Sequence, residues 1–490
     1  MDPHRAQQDS APAARTVTRV ALAVLLLGLV ALQWWMVWPD NPVAAAPMIG
    51  TCLSWLVLLP ALHALSRLSP RRVGAVVVAG GLLLGAAAMS APPRTSNDSA
   101  RYAWDGIVQK HGISPYAYVP IDETLADHRP AWLFSPGNTG PQGQPLCAED
   151  LFATGAIATN GYPSGDPLCT AINRPQVHTI YPPVAEYTFF LVRFPVPDSV
   201  GYLPSQLAGF LMSAAVTVML LTVLRRSRLP EHLAAVWAWS PFVQLEAVNN
   251  AHVDVLAAVL LLSAGMLLVS GRPMRSGAAF GAAVATKLIP AIAAPALLFR
   301  RPAGFIIAAA ASFTVLYVPY ALITGAGILG FLPGYLKEEG YGQSGGIRFG
   351  LAQIVSAGPW PMLLSLAVLV GLAAAVLRRS NASSLWQEQT VMIGMTLLIV
   401  SPNYPWYALI LLPCIVLSRK WEYVMVIVAL DVIYMGPPVG PNNETIGKVA
   451  LLAALLVIAA AGWLRRRRSS EDSAGAGLEH DPETAPGGAV

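Results

Sequence analysis

Residues 73–106 read VGAVVVAGGLLLGAAAMSAPPRTSNDSARYAWDG, and this stretch decides how the rest of the chain is interpreted. Its first 18 residues carry no charge, whereas the next 16 contain two arginines and two aspartates. Apolar runs of about 20 residues cross a bilayer as helices. The stretch therefore predicts the end of a transmembrane helix, followed at once by a polar segment at the membrane surface.

The composition assigns the whole chain to the same class of protein. Hydrophobic residues make up 55% of the 490 residues and charged residues 12%, and the mean hydropathy is +0.53. Soluble domains average about 25% charged residues, so the chain is predicted to be a membrane protein. Four cysteines exclude a disulfide-rich scaffold and do not form a CxxC metal pattern. We expect no metal, no cofactor and no nucleic-acid partner.

Twelve apolar runs are predicted as transmembrane spans. They lie near residues 16–38, 46–65, 73–91, 202–224, 232–248, 253–270, 303–323, 359–377, 385–402, 405–418, 421–436 and 446–464. The run 276–299 is interrupted by Lys287 and Pro290 and is interpreted as a helical hairpin that enters the membrane and returns. The predicted fold is an all-α polytopic membrane protein with about 12 transmembrane helices, this hairpin, and a large extracytoplasmic loop between the third and fourth spans.

The distribution of charge predicts the orientation, because lysine and arginine favour cytoplasmic loops. With the N-terminus inside, the predicted inner loops hold 18 basic residues, whereas the outer loop 92–201 holds 6 basic and 10 acidic residues. Both termini are then cytoplasmic in a multi-pass protein of the plasma membrane. The predicted organisation is a disordered N-terminus at 1–15, three spans at 16–91, the loop 92–201, the remaining bundle at 202–464 and a disordered tail at 465–490.

The outer loop is too long for a structureless connection, so it is predicted to be folded or functional. Cys147 and Cys169 both lie in it, on the side where disulfides persist, and are predicted to pair. The stretch TIYPPVAEYTFF at 179–190 begins polar and ends apolar. It predicts a short amphipathic helix after Pro182 and Pro183, lying along the membrane surface. This helix is interpreted either as a gate for a lipid-linked substrate or as structural packing.

Charged side chains are concentrated in NDSARYAWDG at 97–106. If a helix begins near Asp98, then Asp98 and Arg101 are three residues apart, Arg101 and Asp105 are four apart, and both pairs can meet on one helix face. One interpretation is an ion-pair network that holds the loop. The other is a carboxylate that arginine keeps ionised so that it can act as a base.

A second polar cluster is NNAHVD at 249–254, between two predicted spans. Ionisable groups inside a membrane bundle are costly and are often functional. His252 and Asp254 are interpreted as hydrogen-bonding groups that face the same cavity as the first cluster. A purely structural polar turn is the alternative, and two residues do not make a metal site.

A third polar group is Lys287, which lies twelve residues beyond Arg275. It is therefore on the order of 18 Å along a helix from the inner face. A lysine at that depth needs an anionic partner, which is either a protein carboxylate or a phosphate of the substrate.

The fourth cluster is SPNYPWY at 401–407. Asn403, Tyr404, Trp406 and Tyr407 suit contacts with a sugar by stacking and hydrogen bonding. The same residue types also form interfacial aromatic belts, and this structural interpretation stays open.

Together these motifs resemble a known family. The pattern Asp98-Ser-Ala-Arg101-Tyr102-Ala103 at the start of the first large outer loop resembles the GT-C glycosyltransferases, and RYAWDGIVQKHGISPYAY resembles their bacterial family-87 branch of polyprenyl-phosphate-mannose-dependent mannosyltransferases. Four later segments also resemble segments of this family and occur in the same order along the chain: NRPQVHTIYPPVAE, AHVDVLA, ATKLIP and SPNYPWY. Two segments depart from the family pattern: AHVD at 251–254 stands where Gly-His-Asn-Asp is expected, and in ATKLIP no proline directly follows Lys287.

The resemblance implies a function and assigns roles to these residues. It implies an integral-membrane glycosyltransferase that moves a sugar, mannose first among them, from a polyprenyl-phosphate donor to a glycan or glycolipid acceptor on the outer face, with inversion. Asp98 is the implied base and Asp105 its rival. The candidate substrate-binding residues are Arg101, Tyr102, His178, Tyr181, His252, Asp254, Lys287, Arg348, Asn403, Tyr404 and Tyr407, among which Lys287, Arg348 and His178 are the candidates for holding the phosphate.

Two other classes of function are weighed against this one. A polytopic transporter or flippase of a cell-envelope precursor usually shows internal repeats between its halves, and no convincing repeat is seen here. A scaffold in cell-envelope assembly would not need the polar clusters. The sequence therefore favours an enzyme whose partners are a lipid-linked sugar, an acceptor and the bilayer.

Overall fold

The structure is a computed structural model of the chain. It describes residues 3–139, 141–142, 145–147, 157–159, 167–338, 347–436 and 443–478. The predicted disordered ends fall only partly within this range. Helix α1 begins at Pro3 and the last helix ends at Leu478, while residues 1–2 and 479–490 lie outside the described residues.

The described chain is mostly helical. Its α-helices are α1 (Pro3–Val37), α2 (Ala46–Ser66), α3 (Pro70–Ala88), α4 (Asp98–Lys110), α5 (Pro183–Arg193), α6 (Leu203–Arg226), α7 (Ala235–Ala238), α8 (Pro241–Val243), α9 (Asp254–Val269), α10 (Pro273–Thr286), α11 (Ala294–Leu297), α12 (Pro302–Thr324), α13 (Leu332–Glu338), α14 (Gly350–Gln353), α15 (Trp360–Arg379), α16 (Leu385–Val400), α17 (Leu412–Ser418), α18 (Val424–Met435) and α19 (Asn443–Leu478). Short 3-10 helices lie at Glu123–His128, Glu231–Ala234, Ile289–Ala293, Gly325–Leu329, Pro405–Ile410 and Trp421–Tyr423, and a π-helix spans Gln244–Asn249.

Seven helical segments of the described chain are long and apolar enough to cross a membrane. They are Thr16–Val37, Ala46–Ser66, Pro70–Ala88, Leu203–Arg226, Pro302–Glu338, Trp360–Arg379 and Glu444–Arg467. The helical segments Pro241–Asn249 and Asp254–Val269 are bent by 113° at their junction, and they bring the number to eight if the pair is one broken span. The chain is therefore a multi-pass membrane protein, and the count of twelve spans stays a prediction.

The segment predicted as a hairpin contains a break at its lysine. Helix α10 ends at Thr286, Lys287 has extended backbone, and a 3-10 helix follows from Ile289. A proline cannot donate a backbone hydrogen bond, so Pro290 fits the start of this new element. The break places the Lys287 side chain at the end of α10.

The loop 92–201 contains folded elements. A three-stranded antiparallel sheet has the order β1 (Phe134–Pro136), β5 (Leu168–Thr170), β4 (Ile157–Thr159), and a two-stranded sheet pairs β2 (Asn138–Thr139) with β3 (Pro145–Leu146). A disulfide joins Cys147 to Cys169, whose Cα atoms lie 5.7 Å apart. Trp104 of α4 packs edge-on against Phe134. The sheet therefore packs against α4, the helix that begins at Asp98.

Helix α5 lies against α4, at the position where the sequence predicts an amphipathic helix. Ala185 and Phe189 are buried, whereas Leu191 is two-thirds exposed. The close packing requires glycine at position 106, because a Cβ atom there would lie 2.4 Å from the Phe189 carbonyl oxygen. The gating role of α5 stays a prediction.

The bend between the π-helix and α9 contains a residue in an unfavourable conformation. Ala251 has φ +55°, in the left-handed region. This conformation costs an L-residue roughly 1–2 kcal/mol, whereas glycine adopts it without strain. Alanine at this position therefore has an energetic cost.

We expect Ala251→Gly to stabilise the protein by about 0.5–1 kcal/mol, because relief of the strain exceeds the entropy that glycine loses on folding. The thermal unfolding midpoint of the purified protein in one detergent measures the effect. The control is Ala258→Gly inside α9, where glycine costs about 1 kcal/mol. Equal destabilisation by both substitutions would contradict the strain argument.

Candidate active site

The segment before α4 is held by side chains from the bend after the π-helix. The Asn249 Nδ2 atom donates to the carbonyls of Ala88 (2.9 Å) and Pro92 (3.1 Å). The Asn250 Nδ2 atom donates to the Thr95 hydroxyl at 2.7 Å. Each buried amide thus pairs with backbone or side-chain groups that would otherwise be unsatisfied. These contacts fix the position at which α4 begins.

Two further polar side chains hold the same segment. The Gln206 Nε2 atom donates to the Ala91 carbonyl at 2.9 Å, and the Tyr434 hydroxyl donates to the Thr95 carbonyl at 2.6 Å. Helices α6 and α18, far away in sequence, therefore help to position the first residue of α4.

Asp98 lies in the wall of a cavity of about 680 Å³, a volume that includes the open space at its mouth. The cavity is lined by Ser96, Asn97, Asp98, Arg101, Asn173, Arg174, Val177, His178, Ile180, Tyr181, Lys287, Tyr335, Tyr404, Trp406, Tyr407 and Tyr434. Five aromatic side chains from α13, the segment 404–407 and α18 thus face polar and charged groups from α4 and the segment 173–181. This combination of apolar faces and a few polar groups is typical of a substrate pocket.

The Asp98 carboxylate has two close neighbours. The Asn173 Nδ2 atom donates to Asp98 Oδ1 at 3.0 Å, and His252 Nδ1 lies 3.6 Å from Oδ2. The side chain is 15% exposed, so it can be reached from the cavity. Burial raises the pKa of the Asp98 carboxyl above its ordinary value of 3.8, and the positive charges of Lys287 and Arg174 oppose this increase.

His252 is fully buried behind Asp98. Its ring stacks on Trp406 with the centroids 3.8 Å apart, and its Nε2 atom lies 3.2 Å from Glu246 Oε2. The imidazole therefore lies between two carboxyl groups, that of Asp98 and that of Glu246. Glu246 belongs to the π-helix, an element that is frequent at functional sites.

Lys287 has a protein carboxylate as its partner. Its Nζ atom lies 2.7 Å from Asp254 Oδ2 and 4.6 Å from the centroid of the Tyr407 ring. Asp254 is fully buried, whereas the lysine side chain is 15% exposed and lines the cavity. The ion pair joins the start of α9 to the end of α10. Of the two predicted partners, the structure shows the carboxylate, and the lysine still faces the cavity.

Asp105, the rival carboxylate, is held away from the cavity wall. Both of its oxygens accept from Arg101 Nε, at 2.9 and 3.0 Å. Asp105 is 2% exposed and is absent from the cavity lining given above, whereas Arg101 belongs to it. Arg101 Nη1 donates to the Val177 carbonyl at 3.1 Å. Within the described residues, its buried Nη2 atom has no hydrogen-bond partner.

A second carboxyl group lies beside Asp105. Glu186 of α5 is fully buried; its Oε1 accepts from the Thr179 hydroxyl at 2.7 Å and its Oε2 from Gln109 Nε2 at 3.0 Å. Burial raises the pKa of Glu186 well above 4.5, and the negative charge of Asp105 raises it further. Burial also raises the pKa of Asp105, but Arg101 opposes that increase. Burial and the neighbouring Asp105 carboxyl thus favour the protonated form of Glu186, whereas Arg101 favours the charged form of Asp105.

The remaining predicted substrate-binding residues divide into two groups. His178, Tyr181, Tyr404 and Tyr407 line the cavity, and His178 Nδ1 is buried with no hydrogen-bond partner among the described residues. Tyr102, Arg348 and Asn403 are not part of that lining.

Tyr102 and Arg348 lie in other surroundings. The Tyr102 ring stacks on Phe189, with the centroids 4.4 Å apart, so it packs α4 against α5. Arg348 is buried, and its Nη1 atom is 3.4 Å from the Ser401 carbonyl. Both side chains therefore take part in packing near the site.

Several lining residues were not among the predicted ones. Asn173 and Arg174 begin the segment NRPQVHTIYPPVAE, in which only His178 and Tyr181 were predicted, whereas Tyr335 and Tyr434 come from segments where local sequence gives little signal. Glu246 could have been predicted as a site residue from the sequence, because a lone carboxylate within the apolar run 241–248 is costly unless it is functional or paired.

A central segment of the chain matches a known protein family. The model of glycosyltransferase family 87 matches residues 179–402, a segment that contains Tyr181, His252, Asp254 and Lys287 but not Asp98. Neither a curated protein nor a solved structure matches the chain. Together with the apolar helices, the match to glycosyltransferase family 87 supports a membrane glycosyltransferase, which requires a sugar donor, an acceptor and a lipid bilayer.

Proposed function

We propose that this protein is a GT-C-type mannosyltransferase that uses a polyprenyl-phosphate-linked donor and acts on the outer face of the plasma membrane. The observation that carries the proposal is the position of Asp98, a partly exposed carboxylate in the wall of an aromatic cavity that also contains Lys287 and Arg174. The acceptor is a hydroxyl group of a glycan or glycolipid. Support for the outer face comes from the charge distribution of the loops.

The proposed reaction has one chemical step. Asp98 removes the proton from the acceptor hydroxyl while that oxygen attacks the anomeric carbon of the donor. The bond from the anomeric carbon to the phosphate oxygen breaks, and its electron pair leaves with the polyprenyl phosphate. Attack opposite to the leaving group inverts the anomeric centre, so a β-linked donor gives an α-linked product.

Cationic and N–H groups in the cavity wall would stabilise the leaving phosphate. Lys287 and Arg174 line the cavity and supply N–H donors and positive charge, although they pair with Asp254 and Glu338 in this structure. Arg101 Nη2 and His178 Nδ1 are buried nitrogens without hydrogen-bond partners among the described residues. Such preorganised groups act most strongly where charge develops in the transition state. The aromatic side chains of Tyr404, Trp406, Tyr407 and Tyr434 suit the faces of a sugar.

His252 is proposed as a positioning residue for Asp98. Its Nδ1 atom lies 3.6 Å from Asp98 Oδ2 and has no hydrogen-bond partner among the described residues. In the tautomer with the proton on Nδ1, which requires Glu246 to donate to Nε2, a small approach would let His252 donate to the Asp98 carboxylate, and Trp406 fixes the ring plane. A hydrogen bond to the charged form lowers the pKa of a carboxyl group. Substitution of His252 is therefore expected to alter the Asp98 carboxylate without removing a contact to the sugar.

We expect His252→Gln to lower kcat about 10-fold or more with a smaller change in the KM for the donor, because general-base catalysis is worth about 10²–10⁴. The acid limb of the pH–rate profile should move to higher pH, since Asp98 loses a partner of its charged form. Tyr102→Phe, at a residue that packs on Phe189 and is not part of the cavity lining, is the control. An unchanged acid limb with reduced activity would mean that His252 is only structural.

A panel of labelled sugar donors tests the proposed function as a whole. The purified protein in nanodiscs is given polyprenyl-phospho-mannose, other polyprenyl-phospho-sugars and nucleotide sugars, with a membrane glycolipid extract as acceptor. We expect transfer from polyprenyl-phospho-mannose and an α-linkage in the product. Transfer from nucleotide sugars alone would overturn the proposal, as would movement of lipid-linked sugar across the bilayer without transfer, the result that a flippase would give.

A further inference from the structure

A second cavity lies at the turn between α2 and α3. Its empty volume is about 1390 Å³, open space included. It is lined by Thr18, Arg19, Arg67, Leu68, Ser69, Arg71 and Arg72. These seven residues, called the basic groove below, come from α1, the end of α2 and the start of α3. Four of the seven are arginines.

The basic groove is remote from the candidate active site. Helix α3 begins at Pro70, beside the groove, and ends at Ala88, whose carbonyl is bound by Asn249. Nineteen helical residues span about 28 Å, which is close to the thickness of the hydrocarbon core of a bilayer. The two sites therefore lie at opposite ends of α3, near opposite faces of the membrane.

The charge in the basic groove is concentrated and is not balanced by a carboxylate in its lining. Two arginines near other helix ends have acidic partners: Arg225 pairs with Glu231 at 2.8 Å, and Arg465 pairs with Glu422 at 2.6 Å. Among the seven lining residues there is no aspartate or glutamate. Four guanidinium groups with planar, forked donors favour a phosphate ligand.

Helix α3 adds to the positive electrostatic potential in the basic groove, because its N-terminus carries the positive end of the helix dipole. Ser69, the residue before Pro70, makes no capping hydrogen bond with its side chain. Its hydroxyl group is thus available to a ligand in the groove. The dipole is a secondary contribution, and the four arginines carry the argument.

The surface of α1 that faces away from the groove is apolar. Val17, Val20, Val24 and Leu27 are each more than half exposed. Their spacing of three or four residues places them in one stripe along the helix. Helical periodicity places this stripe opposite Thr18 and Arg19, so it faces the hydrocarbon of the bilayer, and the groove lies at the end of α1 and α3 where the headgroups of that bilayer begin.

We propose that the basic groove binds the headgroup phosphate of an anionic phospholipid of the adjoining leaflet, because four arginines meet there at the membrane end of α3. Basic pockets between transmembrane helices bind such headgroups. Because the arginines belong to three helices that pack together, the bound phosphate would connect α1, α2 and α3. This inference does not depend on the proposed transferase activity.

Lipid retention by the full-length protein tests the proposal. The protein is exchanged into nanodiscs of phosphatidylcholine with or without phosphatidylglycerol, and the retained lipid is measured by native mass spectrometry after release. Substitution of Arg19, Arg67, Arg71 and Arg72 by Gln should weaken phosphatidylglycerol retention at least about 10-fold. The matched control substitutes Arg272, Arg275, Arg300 and Arg301 by Gln, which removes the same charge elsewhere and should leave retention unchanged.

Three results would overturn the proposal. They are unchanged retention in the groove variant, equal loss in the control variant, and a rise in the thermal midpoint with inorganic phosphate as large as that with phosphatidylglycerol. A second measurement needs no variant. A photoreactive phosphatidylglycerol should label the peptides that contain residues 16–19 and 67–72 of the wild-type protein, and labelling confined to other peptides would exclude the site.

Discussion

Asp98→Asn is expected to lower kcat for sugar transfer by about 10²–10⁴-fold, the contribution of a general base. The amide has nearly the shape of the carboxylate and can still accept from Asn173, so folding and donor binding should persist. Only the ability to take a proton is lost. Labelled polyprenyl-phospho-mannose and isolated membranes measure the rate, and the amount of protein in the membrane is measured in parallel.

The pH dependence gives a second readout. Because burial raises the pKa of Asp98, the wild-type rate should fall as the pH drops through that raised value, where the base becomes protonated. The residual rate of Asp98→Asn should lack this acid limb. Full activity in Asp98→Ala membranes would exclude Asp98 as the base. If Asp105→Asn were well folded and inactive while Asp98→Asn was active, the assignment of the base would be wrong.

Asp105→Asn is expected to destabilise the protein by about 3–5 kcal/mol, because it leaves the buried Arg101 guanidinium without its charge partner. Glu186→Gln, in the same network, should cost no more than about 1 kcal/mol. The reason for the difference is that the raised pKa of Glu186 favours its neutral form, and glutamine is also neutral. The measurement is the fraction of protein that stays monodisperse after heating in detergent, over a series of temperatures.

The pH dependence of stability separates the two variants further. Glu186 has a pKa that folding raises, so the folded state binds this proton more tightly than the unfolded chain does. Its contribution to stability is present at low pH and is lost as the pH rises through the raised value. Glu186→Gln should remove this dependence. A Glu186→Gln variant that is as unstable as Asp105→Asn would show that Glu186 is charged.

Local sequence was sufficient for features that depend on neighbouring residues. The apolar runs indicated helices of membrane-spanning length, and such helices are present. The four-residue spacing of Arg101 and Asp105 indicated an ion pair within one helix, and the pair is present in α4. Proline at 182–183 indicated the start of α5. In each case, helix geometry over a few residues determines the result.

The set of residues that meet in the candidate active site could not be predicted from local sequence. Asp98 meets Asn173 and His252, and Lys287 meets Asp254, across separations of 33 to 154 residues. Sequence spacing left Asp98 and Asp105 as equal candidates, because both lie on α4 near Arg101. The packing of α4 against α5 buries Asp105 beside Glu186 and leaves Asp98 in the cavity wall.

The sequence by itself thus determined the class of protein, its helical segments and the polar start of α4, since hydropathy and helical periodicity act locally. Tertiary structure alone decided which carboxylate lines the cavity, that Asp254 is the partner of Lys287, and that Glu246 lies behind His252. The physical reason is that a buried charge is stable only beside a partner. In this protein, that partner usually comes from a distant helix.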